Sequence, residues 1–127
     1  MREKKMFRYI ALAVLVFFSV PTAVLANKSS VTIDVPEVVE KGEEITIKIN
    51  VSHSANNIFH YTNWVYVMAN GIEIKRWKYR SFGKPEGKNF SLEINYTVMT
   101  VPLEIVAEAN CNMHGSAGRA TAILSPK

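Results

Sequence analysis

Four side chains in this sequence have types and spacing suited to transition-metal chemistry. Cys111, the only cysteine, and His114 lie three residues apart in the run 109–115, and the other two histidines are His53 and His60. A thiolate combined with imidazoles suits iron, copper or zinc, whereas calcium and magnesium prefer oxygen ligands. The sequence therefore predicts one mononuclear metal site held by these four residues.

The Cys-x-x-His spacing of Cys111 and His114 allows both side chains of one tight turn to reach the same ion. This spacing alone is a weak pattern because it often arises by chance. Its combination with a second segment that carries His53 and His60 makes the prediction stronger. The alternative is that Cys111 is a small buried apolar residue and that the histidines are ordinary loop residues.

The first 26 residues have the features of an export signal. A basic start precedes an apolar run at 10–20, and Val24-Leu25-Ala26 has the small-residue pattern of a cleavage site. The run is too short to span a bilayer comfortably, so a retained anchor is the less favoured alternative. We expect cleavage after Ala26 and export of residues 27–127 to the periplasm or the medium, without a stable membrane anchor. An unpaired cysteine is unusual in an oxidising compartment.

Removing this segment changes the charge argument. The precursor has a formal net charge of +4, but residues 27–127 contain 11 Lys and Arg against 10 Asp and Glu. The one basic concentration, Lys75–Arg80, alternates with Trp77 and Tyr79, which is typical of a strand with one solvated face. A nucleic-acid-binding protein would present a basic face or a stacking platform. The sequence therefore predicts no nucleic-acid partner.

The hydrophobic periodicity is that of β-strands. Residues 44–51 alternate isoleucine and valine with polar residues, and the aromatic segment 60–69 ends in Asn70-Gly71, the strongest two-residue hairpin signal. The predicted strands are 31–35, 44–51, 60–69, 73–80, 90–99, 102–109 and 119–124. Short strands at this spacing, without a helical stretch, predict a single all-β domain. Its architecture is an immunoglobulin-like antiparallel β-sandwich of about seven strands.

Strand alternation also predicts which side chains fill the core. The predicted core residues are Ile45, Ile47, Ile49, Trp64, Val65 or Tyr66, Val67, Ile105 and Val106. On the aromatic strand we expect the phase of Trp64 and Tyr66 to be the buried one. The metal-ligand candidates fall in predicted loops, His53 and His60 between two strands and Cys111 with His114 between the last two. Loops at one end of a sandwich cluster in space, so these positions can converge.

These residues resemble the iron-binding domain of desulfoferrodoxin and neelaredoxin, the superoxide reductases. The resemblance rests on His53, on His60 with the following residues 61–67, and above all on Cys-Asn-Met-His-Gly at 111–115. It covers most of the chain from about Val35 onward. The resemblance implies an immunoglobulin-like domain that holds a mononuclear ferrous iron between four equatorial histidines and an axial cysteine thiolate.

Carried over by position, Cys111 is the axial thiolate, and His53, His60 and His114 are three of the imidazoles. The resemblance makes Cys111 and His114 the residues expected at the catalytic iron. Members of the family reduce superoxide to hydrogen peroxide at the open sixth position, with one electron from an external donor. The implied partners are therefore superoxide or another small oxygen species and an unidentified electron donor.

The sequence departs from the family pattern at its N-terminal side. Residues 27–31 lack the Glu-Lys-His motif that supplies the remaining histidine and a lysine near the substrate. His53 and His60 are one residue further apart than expected, and Ser54 replaces a proline. Three histidines and one cysteine also permit a four-coordinate site, which copper or zinc accepts as readily as iron.

Two functions from different classes follow from this ligand set. The first is an exported superoxide reductase-like enzyme with a non-haem iron. The second is a non-catalytic metal-binding or electron-transfer module with the same three-histidine, one-cysteine site, and a metal-free partner-binding sandwich is a third, weaker alternative. No methionine follows His114, which disfavours a blue-copper centre, and no G-x-S-x-G hydrolase motif is present.

Overall fold

The computed structural model describes residues 27–127, which form β-strands, turns and loops and contain no α-helix. The predicted export signal lies outside the described residues. The strands are β1 (Ser30–Asp34), β2 (Val38–Val39), β3 (Glu44–Ser52), β4 (Thr62–Ala69), β5 (Ile72–Lys78), β6 (Asn89–Thr97), β7 (Leu103–Cys111) and β8 (Ala120–Pro126). In this part of the chain no helix is long and apolar enough to cross a bilayer.

The strands form two sheets packed face to face. The three-stranded sheet has the order β1-β3-β6, and the five-stranded sheet has the order β2-β8-β7-β4-β5. All pairs are antiparallel except β2 with β8. The predicted immunoglobulin-like sandwich is therefore confirmed. The seven predicted strands are present with ends shifted by at most two residues, and β2 is an addition too short to give a periodic signal.

The core lies between the two sheets and is built from strand alternation. On β3 the side chains of Ile45, Ile47, Ile49 and Val51 are at most 5% exposed. They face aliphatic residues of β4 and β7, and each such side chain contributes roughly 1.5–3 kcal/mol when fully buried. The polar residues between them face solvent, so the pattern 44–51 fixes which face of the strand turns inward.

The phase predicted for the aromatic strand is wrong. Val65 and Val67 are fully buried between the sheets, whereas Trp64 and Tyr66 lie on the outer face of the five-stranded sheet. The two rings stack with centroids 5.6 Å apart, and the Arg76 guanidinium lies over both. Cation–π contact and stacking cover these rings, and Tyr66 is only 5% exposed although it lies outside the space between the sheets. Val106, also predicted as core, is 8% exposed and buried on this outer face.

The hairpin and the solvated strand face were predicted correctly. Asn70 and Gly71 have φ values of 46° and 81° and connect β4 to β5, as a two-residue turn with both central residues left-handed requires. On β5, Trp77 packs against the core while Lys78 is exposed.

Candidate metal centre

The four predicted ligands lie at the same end of the sandwich, at which β3, β5 and β7 finish and β1, β4, β6 and β8 begin. His53 follows β3, His60 precedes β4, and His114 lies in the turn after β7. Cys111 was predicted in the loop, but it is the last residue of β7, pairs with Thr62 and is 1% exposed. The strand therefore holds the sulfur rigidly, and the exposed turn positions His114.

The structure groups the donor atoms of His53, His60 and Cys111, and His114 lies beside this group next to His60 and Cys111. Nε2 of His60 lies 3.1 Å from Nε2 of His53 and 3.1 Å from Nδ1 of His114. Sγ of Cys111 lies 3.8 Å from Nδ1 of His114. The donor atoms of His53, His60 and Cys111 are all within 4.8 Å of one another. Residues from three separate segments of the chain thus converge on one point.

This arrangement fits a shared cation better than a set of hydrogen bonds. Nε2 of His60 lies at 3.1 Å from two other ring nitrogens. A ring nitrogen carries either one proton or one lone pair, so it forms one directed hydrogen bond and not two. A cation held by His53 and His60 would use the Nε2 lone pairs of both rings.

The turn after β7 orients the sulfur. The backbone N–H groups of Met113 and His114 both point to Sγ of Cys111, each at 3.4 Å. Hydrogen bonds of this kind hold a ligand atom in position. Paired backbone hydrogen bonds of 2.9 Å between Cys111 and Gly115 close the turn. Gly115 has a φ of 85°, which glycine adopts without strain.

His53 forms the buried side of the centre. Burial, followed by the neighbouring His60, lowers the pKa of His53 below its usual 6.5, so the ring is held neutral, which is the form that binds metals. The Asn27 backbone and the Asn56 side chain oppose this shift. Nevertheless, Nδ1 of His53 is buried and has no hydrogen-bond partner among the described residues.

Two asparagines that sequence reasoning did not single out hold the histidine loop in place. Oδ1 of Asn57 accepts the backbone N–H groups of Phe59 and His60, each at 2.9 Å. Asn112 accepts the Tyr61 N–H at 2.9 Å and donates to the Phe59 carbonyl at 3.1 Å. Asn112 thus connects the His60 loop to the Cys111 turn. The sequence feature that could have indicated these two residues is that asparagine is frequent in loops, where its side chain forms hydrogen bonds with the neighbouring backbone.

The N-terminal segment that lacks a histidine borders this centre. The Ser29 N–H donates to the Gly115 carbonyl at 3.4 Å, and the Ser29 carbonyl accepts the Ala117 N–H at 2.9 Å. The side-chain oxygens of Ser29 and Thr62 are 2.8 Å apart, and both residues are fully buried. A hydrogen-bonded serine therefore occupies this side, and residues 27–127 offer the metal three imidazoles and one thiolate.

Charged side chains are divided unequally between the two ends of the described sandwich. The end that carries the candidate ligands has five cations and one carboxylate, namely Lys28, Lys78, Arg80, Lys84 and Lys88 with Glu86, whereas Arg119 pairs with Glu108 at 3.9 Å further along the sheet. The opposite end has seven carboxylates and two cations, namely Asp34, Glu37, Glu40, Glu43, Glu44, Glu73 and Glu104 with Lys41 and Lys127. Such a separation attracts anions to the ligand end.

Known proteins share this sequence pattern and fold. Residues 23–117 match the family described as desulfoferrodoxin. The superoxide reductase (neelaredoxin) from Ignicoccus hospitalis superposes with a TM-score of 0.62 at 17% identity, covering 79% of this chain and 82% of that one. A variant of that protein gives 0.67 at 16% identity, with 84% and 86% covered.

A further structural relative comes from outside the superoxide reductases. The CARDB domain of a Pyrococcus furiosus protein, solved in complex with di-metal ions, has a TM-score of 0.62 at 18% identity, with 80% of this chain and 94% of that chain covered. At these identities the similarities establish the fold alone. No curated protein matches the sequence at a significant level.

Proposed function

This chain belongs to the desulfoferrodoxin family, and we propose that it is an exported non-haem iron protein that reduces superoxide to hydrogen peroxide. The iron site is formed by His53, His60, Cys111 and His114. The observation that supports this proposal is the grouping of the His53, His60 and Cys111 donor atoms at the cationic end of the sandwich, with His114 beside them. The family binds non-haem iron, and this donor set suits a first-row transition metal.

Each ligand contributes differently to the proposed chemistry. Iron, when bound, supplies the one-electron change that converts superoxide and two protons to hydrogen peroxide. The Cys111 sulfur would be an electron-rich donor, and two backbone N–H groups point to it. His53 anchors the buried side, whereas His114 is exposed and leaves its side open to a small molecule.

The charge distribution supports an anionic substrate. Superoxide carries one negative charge, and the cations of the ligand end raise its local concentration through their summed field. A distributed field of this kind is weaker at the reacting atom than one lysine held beside it. We therefore expect slower superoxide reduction than in a family member with four histidines and a nearby lysine.

Export is part of the proposal. Its support is the basic, apolar and small-residue order of residues 1–26. The burial of Cys111 is compatible with an oxidising compartment, because a thiol that is 1% exposed is protected from other thiols and disulfides. Mass spectrometry of the protein recovered from the periplasm or the medium should give a chain that begins at Asn27.

The decisive experiment loads residues 27–127 with ferrous iron under anaerobic conditions and mixes the protein with superoxide in a stopped-flow instrument. We expect oxidation of the centre faster than in the buffer control, with formation of hydrogen peroxide. Cys111→Ser should abolish this reaction, whereas Ile123→Thr, an exposed change on β8 away from the centre, should retain it. An iron centre that forms but is not oxidised faster than the control would replace the enzyme with the non-catalytic metal-binding module.

A further inference from the structure

Large apolar side chains are exposed around the candidate metal centre. Phe82 is 96% exposed, Phe59 75% and Met113 65%. Single exposed apolar residues are ordinary, but these three belong to neighbouring segments of one end of the sandwich. We name Phe59, Met113 and Phe82 the apolar rim. Apolar residues grouped in this way mark interaction sites.

The hydrogen bonds of Asn112 and a surface depression connect the members of this rim. Asn112, which precedes Met113, bonds to the backbone of both Phe59 and Tyr61. Tyr61 in turn lines a depression of about 560 Å³ whose other walls are Lys78, Arg80, Ser81, Phe82 and Gly83. The rim therefore continues from the exposed side of His114 to a depression that contains two cations and no carboxylate.

We propose that the apolar rim and the basic depression form the docking surface for an acidic one-electron donor protein. This inference rests on the proposed function, because superoxide reduction consumes one electron that the donor must return to the oxidised iron. The donor loses one electron and the ferric centre gains it, so no other reactant is needed. A donor with carboxylates around an apolar patch would complement Lys78 and Arg80 electrically and the rim by apolar contact.

The position of the rim argues for a protein over an anionic membrane surface. The cations of this end would attract an acidic protein and an anionic membrane alike. However, the rim borders the exposed His114, and insertion of Phe59 and Met113 into lipid would cover the route of superoxide to the centre. A transient complex with a protein leaves this route open between turnovers, and transient redox complexes use small interfaces of this kind.

The test uses zinc-loaded residues 27–127, because zinc is redox-silent and separates docking from catalysis. The isotope-labelled protein is titrated with an acidic plant-type ferredoxin at low ionic strength, and a basic cytochrome c is the charge control. We expect NMR shifts concentrated at Phe59, Met113, Phe82, Lys78 and Arg80, loss of binding at high salt, and no binding of the cytochrome. Phe82→Ser should weaken binding without changing the fold, since the side chain is almost fully exposed.

Charge reversal provides a matched comparison. Lys78→Glu combined with Arg80→Glu should raise the Kd for the ferredoxin about tenfold or more. Lys41→Glu combined with Lys127→Glu makes the same change of net charge at the opposite end and should leave the Kd within about twofold, because distant charges are screened. Equal effects of the two double variants, or NMR shifts on another face, would overturn the proposal.

Three further outcomes separate this inference from others. Co-sedimentation of the protein with phosphatidylglycerol vesicles, without ferredoxin binding, would assign the rim to a lipid surface and reject the protein partner. Ferredoxin binding at the rim together with an iron centre inert to superoxide would retain a docking surface and reject the catalytic proposal. An active enzyme whose zinc form binds no ferredoxin at the rim would reject the docking surface alone.

Discussion

Replacing Asn112 by alanine tests whether the metal centre depends on the connection between its two loops. The change removes two side-chain hydrogen bonds, from the Tyr61 N–H and to the Phe59 carbonyl, and retains the backbone bond from the Asn112 N–H to the Tyr61 carbonyl. Each bond contributes about 0.5–1.5 kcal/mol net to stability. Both bonds are exposed to solvent, so we expect values in the lower half of this range. We therefore expect a loss of about 1–2 kcal/mol in the free energy of unfolding.

The same change should affect metal binding more than stability. Without Asn112 the loop that carries His60 is no longer held against the Cys111 turn, so the ligands must be ordered when the metal binds. Loss of such outer-shell support typically lowers metal affinity 10- to 100-fold. The assay is competition with a chelator for zinc and for ferrous iron, with thermal unfolding of the metal-free protein followed by circular dichroism.

Asn70→Gly provides the control for Asn112→Ala. Asn70 also forms two side-chain hydrogen bonds, from the Glu104 N–H at 2.8 Å and to Thr100 at 2.7 Å, but at the opposite end of the sandwich. Glycine tolerates its φ of 46°. We expect a similar loss of stability with unchanged metal affinity. If Asn112→Ala lowers stability but binds metal as tightly as Asn70→Gly does, the centre does not depend on this connection.

Three further predictions concern the sulfur, the buried histidine and the charge distribution. Cys111→Ser should remove the visible thiolate-to-iron absorption while leaving the far-ultraviolet circular dichroism unchanged; a retained band would exclude Cys111 as a ligand. Burial lowers the pKa of His53 below its usual 6.5. As the pH falls, the His53 ring of the unfolded metal-free chain therefore takes up a proton at a higher pH than the ring of the folded chain does. Stability should therefore fall as pH drops below about 6.5, and equal urea midpoints at pH 7.5 and 5.5 would contradict this. The rate of superoxide reduction should decrease with ionic strength, since the Debye length shortens from about 30 Å at 0.01 M to about 10 Å at 0.1 M; a salt-independent rate would show that the ligand-end cations do not steer the substrate.

The strands were predictable because their signal is local. Alternation at 44–51 and the Asn70-Gly71 turn fix strand direction and hairpin position without knowledge of the rest of the fold. The phase of β4 was not predictable in the same way, because both Trp64-Tyr66 and Val65-Val67 are suitable core residues. The choice depends on Arg76, which covers the aromatic rings from the adjacent strand, and this contact appears only once β4 and β5 are paired.

The candidate site was predictable as a set of residue types but not as a geometry. The sequence predicted His53, His60, Cys111 and His114, and the fold groups the first three with His114 beside them. That Cys111 ends a strand, that Asn112 joins the two loops and that cations gather at one end all depend on strand topology. Charges scattered over residues 28–119 have no visible order in the sequence, because only the antiparallel arrangement assigns each of them to an end.

The donor set bears on which metal the centre accepts. Three imidazoles and one thiolate permit a four-coordinate site, which zinc or copper accepts as readily as iron. A metal that takes more than four ligands would have its remaining positions filled by water or substrate. Affinity alone ranks copper above iron for these ligands, so the metal supplied to the chain, and not the ligand set, decides between the two.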